Sequence, residues 1–65
     1  MIDWLGPKEL YELRNRGLGW RIAFYLDRKI NAYVLLCGFK KQKRTQPSNI
    51  EQARRYLDDY LLGRN

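Results

Sequence analysis

Histidine is absent from this chain of 65 residues, and cysteine occurs once, at Cys37. Together these scarcities exclude an intramolecular disulfide and leave no His/Cys pair for a zinc site, so neither a metal nor a cofactor is expected. Long apolar runs are missing too. The longest uncharged stretch, residues 30–39, is too short to cross a bilayer and includes Asn31 and Tyr33. No segment resembles a signal peptide. A lone thiol with no membrane segment points to the cytoplasm. Internal repeats and low-complexity tracts are also lacking. Residues 1–65 therefore read as one small domain, and a domain of this size buries only about 60% of the surface its unfolded chain exposes. With no staple to compensate, it is expected to lean on a partner chain or on a second copy of itself.

Acidic residues are the next thing in short supply, and their placement is more informative than their number. The chain has 13 basic residues against 7 acidic ones, a net charge of +6. Four of the acids lie at or before Asp27, and Glu51, Asp58 and Asp59 lie in the C-terminal segment. Between positions 28 and 49 there are six bases (Arg28, Lys29, Lys40, Lys41, Lys43 and Arg44) and no acid. The densest part, Phe39-Lys40-Lys41-Gln42-Lys43-Arg44, directly follows the apolar run Tyr33-Val34-Leu35-Leu36-Cys37-Gly38. A cationic loop held at the rim of a sheet is a fixed positive field, and the commonest partner of such a field is a phosphate backbone.

Periodicity predicts an α+β fold, a three-stranded antiparallel meander followed by one C-terminal helix. Residues 10–14 alternate, with Tyr11 and Leu13 on one face and Glu12 and Arg14 on a wet one. Gly17-Leu18-Gly19 marks a turn. In residues 20–27, Trp20, Ile22, Phe24 and Leu26 share one face and Arg21, Ala23, Tyr25 and Asp27 the other, with strand-favouring side chains throughout. Residues 30–38 are apolar on both faces, as in a central or doubly covered strand. Ser48, preceded by Pro47 and followed three residues later by Glu51, predicts a capped helix start, and Gly63 its end. Ile50, Ala53, Leu57, Tyr60 and Leu61 form the stripe that faces the sheet. A sheet apolar on both faces needs two covers, and this chain supplies one helix.

These residues resemble the RelE/ParE superfamily of toxins from type II toxin–antitoxin modules, most closely its HigB-like branch of phage-derived Gp49-like proteins. The resemblance rests on Leu10-Tyr11-Glu12-Leu13-Arg14 and Trp20-Arg21-Ile22-Ala23-Phe24-Tyr25. It continues through Leu35-Leu36-Cys37-Gly38-Phe39-Lys40-Lys41 and Thr45-Gln46-Pro47, leading into Ile50, Ala53 and Tyr60. It covers nearly the whole chain but only the C-terminal part of the family's domain. The usual first strand and helical hairpin, which cover one sheet face in the family, have no counterpart here, so a truncated RelE-like fold is expected. Cys37 stands where this branch commonly has histidine.

The resemblance implies a cytoplasmic toxin that cuts messenger RNA on the ribosome without a metal, an antitoxin protein as partner, and a homodimer as one way to cover the bare face. It implies attack by a ribose 2′-hydroxyl on the adjacent phosphate, helped by converging cations and a polar side chain that assists proton transfer. On that basis Arg21, Lys41, Arg44 and Tyr25 are the candidate catalytic residues, and Lys40, Lys43, Arg54 and Arg55 the candidate RNA-binding ones. Each has a plainer alternative. Arg21 could form a structural ion pair with Glu12 or Asp27, Tyr25 could pack under the helix, and the lysine-rich loop could be a solvated surface. Tyr56 and Tyr60 share that ambiguity. Cys37 reads as a buried small hydrophobe, and Trp4 and Trp20 as core or partner-facing. A gyrase-inhibiting toxin of the ParE kind and a non-catalytic basic RNA-binding module remain open as alternatives.

Overall fold

The structure, a computed structural model, describes residues 2–6, 8–14, 17, 19–40 and 46–63. Four strands, β1 (Ile2–Trp4), β2 (Leu10–Leu13), β3 (Trp20–Asp27) and β4 (Ala32–Lys40), precede one helix, α1 (Pro47–Gly63). The sheet order is β1-β2-β3-β4, with every neighbour antiparallel. The architecture is thus the expected meander plus helix, corrected from three strands to four. The extra strand is three residues long, too short for any period to register in the sequence. It pairs Ile2 with Leu13 and Trp4 with Tyr11, and a tight link follows it. Gly6 takes a left-handed φ of 46°, the Trp4 ring folds back over it, and Trp4 Nε1 donates a 2.7 Å bond to the Lys8 carbonyl.

The β3–β4 hairpin turns through residues 28–31. Asp27 Oδ1 accepts a 3.0 Å bond from the Lys29 amide, and Asn31 adopts φ 53°, the left-handed geometry that asparagine tolerates. The last strand begins two residues later than expected, leaving Ile30 exposed in the turn. A register shift between Ala23 and Phe24 pairs them with Cys37 and Leu35, which leaves Leu36 as the extra, bulged residue packed on the core. Nor is this strand central. Among the described residues it pairs with β3 alone, so it forms one edge of the sheet.

The helix also starts two residues early, with its cap at Gln46 instead of Ser48. Gln46 supplies the capping carbonyl, accepting from the Asn49 amide at 3.0 Å and the Ile50 amide at 3.2 Å. Pro47 then occupies the first helical position, where a missing N–H is no loss. Ser48 and Glu51 are exposed inside the helix rather than forming a capping box. The predicted stripe holds: Ala53 and Leu57 are buried, with Ile50, Tyr60 and Leu61 half-buried. The helix lies over β4 and β3, and Leu10, Ala23, Phe39, Ala53 and Leu57 make the core.

One face assignment is reversed, that of β2. The helix covers the side of Glu12, which reads as wet in the sequence, so Glu12 is buried along with Arg21 and Asp27. The other face carries Ile2, Trp4, Tyr11, Leu13, Trp20, Ile22, Phe24, Leu26, Tyr33 and Leu35, placed together by the cross-strand register. Phe24 is sealed there by its neighbours, stacked on Tyr11 at 5.6 Å and met edge-on by Tyr33 at 5.5 Å. No described element covers that face.

Candidate nucleic-acid interface

Arg21 stands second in β3, on the helix-covered face, opposite Phe39. It is only 5% exposed, and its Nη1 lies 3.9 Å from Oε1 of Glu12, itself 1% exposed. The other Glu12 oxygen lies 3.6 Å from Arg14 Nε, and Arg14 Nη1 donates to Asp3 Oδ2. The bond it donates to Asp3 makes the Arg14 guanidinium hold its proton more tightly than usual. Asp3, Arg14, Glu12 and Arg21 thus form one chain of alternating charge across three strands. Of the two ion-pair partners the sequence offered Arg21, the geometry selects Glu12. Asp27 is engaged elsewhere, accepting a 2.7 Å bond from the Tyr60 hydroxyl.

Tyr25 shares the Arg21 face, half-buried against the core and tilted onto Tyr60 at a ring separation of 6.2 Å. Lys40 ends β4 opposite Trp20, so alternation sends it to the open face, away from Arg21. Lys41, Lys43 and Arg44 lie outside the described residues. The chain that carries them joins Lys40 to Gln46, and its first anchor adjoins Phe39, the cross-strand neighbour of Arg21. Arg54 and Arg55 are exposed on the helix. Arg54 reaches across to donate to the Gly6 carbonyl at 3.3 Å and lines a cleft of about 270 Å³ with Lys8, Leu10, Leu57 and Asp58. The structure therefore groups Arg21 with Tyr25 on one face, and sets Lys40 and Arg54 apart from them.

Three pairings escaped sequence reasoning. Tyr11 donates its hydroxyl to Glu9 Oε2 at 2.7 Å, and Arg28 Nε lies 3.4 Å from Glu9 Oε1. The tyrosine bond, with smaller help from Arg28, outweighs burial and lowers the Glu9 carboxyl below its ordinary value of 4.5. The Tyr60–Asp27 bond spans 33 positions, and only the helix register could have suggested it. Cys37 sits half-buried beside the core, where burial raises its thiol pKa, as suits a small hydrophobe. Among the described residues no three His, Cys, Asp or Glu side chains gather as a metal site, and no helix is long and apolar enough to cross a membrane.

Residues 1–58 match the phage-derived Gp49-like proteins (DUF891), and the chain belongs to that family. The family is RelE/HigB-like and is associated with the toxins of toxin–antitoxin modules, so membership implies an antitoxin partner. No curated protein and no solved structure matches the chain.

Proposed function

We propose that this chain is the toxin of a type II toxin–antitoxin module and acts as a metal-independent endonuclease on ribosome-bound messenger RNA. The observation that carries this reading is the acid-free run between positions 28 and 49, with Lys40 as the last residue of β4 and Lys41, Lys43 and Arg44 close behind it in the sequence, in a member of a toxin-associated family. In the reaction a ribose 2′-oxygen bonds to the adjacent phosphorus and the bond to the departing 5′-oxygen breaks. The 2′-hydroxyl gives up its proton and the leaving oxygen gains one, while charge accumulates on the two non-bridging oxygens. Lys41 and Arg44 stabilise that charge, Tyr25 serves proton transfer, and Lys40, Lys43, Arg54 and Arg55 hold the flanking phosphates. Arg21 joins them only by exchanging Glu12 for phosphate, because its side chain is buried against that carboxylate.

Induced expression should arrest growth and fragment messenger RNA at sites that primer extension can map. Arg21→Ala and Lys41→Ala should each relieve the arrest. Equal toxicity of all three proteins would defeat the site, and DNA damage with intact messenger RNA would move the activity to gyrase. A second reading, a basic RNA-binding module without cleavage, is favoured by the compensation of Arg21 by Glu12. It predicts salt-sensitive RNA binding with a logarithmic slope of about −3 if four cations engage single-stranded phosphates, and no fragments.

A further inference from the structure

We propose that a second copy of this chain covers the open face of the sheet, giving a two-sheet sandwich with a helix on each outer side. The most exposed side chains of that face are Ile2, Trp4, Trp20, Tyr33 and Leu35, with Trp4 at 67%, Tyr33 at 69% and Leu35 at 71%. Trp4 lies over Gly6 and Trp20 leans over Gly38, so both indoles present broad plates rather than isolated edges. Large side chains expose roughly 150–250 Å² each when bare, so at these exposures the five leave on the order of 700 Å² of apolar surface spread over the face. Stable interfaces bury about 800 Å² per partner, whereas monomers seldom carry patches beyond a few hundred. The face is wide enough for an interface, and Lys40 is its one charged residue among the described strands.

The exposed cations select the arrangement. Glu12, Arg21 and Asp27 are buried on the helix-covered face, so the charges that bear on this interface are Lys40 at one end of the face and the exposed Arg28–Lys29 turn at the other. A two-fold axis running along the strands lays β3–β4 of each copy over β1–β2 of the other and keeps those two cationic ends apart. An axis across the strands would instead stack the Lys40 end on the Arg28–Lys29 turn, cation on cation. The first arrangement is also the aligned packing that twisted sheets prefer, about 10 Å apart and within about 30° of parallel. By the cross-strand register it sets Leu35 above Trp4 of the partner subunit, since both lie on one rung of the sheet.

Sedimentation equilibrium of the full chain tests this, with an expected mass twice the 7.9 kDa of one chain. Dilution should return the monomer while tryptophan emission moves to longer wavelength as Trp4 and Trp20 meet water. Leu35→Asp, checked for folding by circular dichroism, should weaken association on the order of 30-fold or more. Tyr56→Asp, on the exposed outer side of the helix, should leave it unchanged. A folded chain that stays monomeric at about 100 µM would overturn the proposal, as would a dimer indifferent to Leu35→Asp. So would a one-to-one complex with an acidic antitoxin that shields the two tryptophans while the free chain does not associate. The unmodified protein's dilution series needs no variant, and RNA cleavage is read separately, so loss of one does not imply loss of the other.

Discussion

At the level of single residues, the most consequential atoms are buried carboxylate oxygens. Glu12 lies between two guanidinium groups under the helix-covered face. Glu12→Ala would leave Arg21 a buried cation without that counter-charge, and breaking a buried pair in this way costs about 3–5 kcal/mol. A large fall in thermal midpoint is therefore expected, while Asp3→Ala at the half-exposed end of the same chain of charges should cost under about 1 kcal/mol. Tyr60→Phe removes the hydroxyl that satisfies buried Asp27 and should destabilise by about 1–3 kcal/mol, read as a lower urea midpoint at unchanged slope. Strand alternation in the sequence correctly placed Arg21, Tyr25 and Asp27 together. It offered Arg21 two partners, Glu12 and Asp27, without choosing between them, and gave Asp27 no link to Tyr60. Those pairings depend on register between strands and on where the helix lands, and both are set by the whole packed core.

At the level of elements, strong periods were legible and short or capped ones were not. The eight residues of β3 and the stripe of α1 stand as the alternation and the helical spacing predict. β1 carries no period in three residues, and is held by Gly6 and by a tryptophan bond to a carbonyl. The helix start moved because proline fixes its own φ at the first helical position, which outranks a serine one residue later. The Tyr11 and Arg28 links tie the start of β2 to the β3–β4 turn through Glu9, and they have a pH signature. A carboxylate whose folded pKa is lowered contributes stability that is complete above its unfolded value and is lost as pH falls through the folded one. Thermal stability should therefore begin to drop below about pH 4.5, and Glu9→Gln should blunt that acid limb. Equal acid sensitivity in both proteins would remove Glu9 from the account.

At the level of the whole molecule, the imbalance between one helix and a sheet apolar on both faces could be read from the residues, but which face the helix would choose could not. Trp20 read as core or partner-facing and stands exposed on the open face, whereas small Ala23 is what admits the helix at Ala53, and both alanines are fully buried. The cationic stretch was equally plain in the sequence, whereas the direction of each cation was not. Arg21 points beneath the sheet and Lys40 above it, although their strands are neighbours. Any polyanion gripped by both must bend around the rim of the sheet like a rope over a gunwale. A duplex, stiff over about 50 nm, cannot follow that path, but an unstacked single strand can. Competition binding should accordingly show single-stranded RNA displaced by other single strands and hardly at all by duplexes of equal charge.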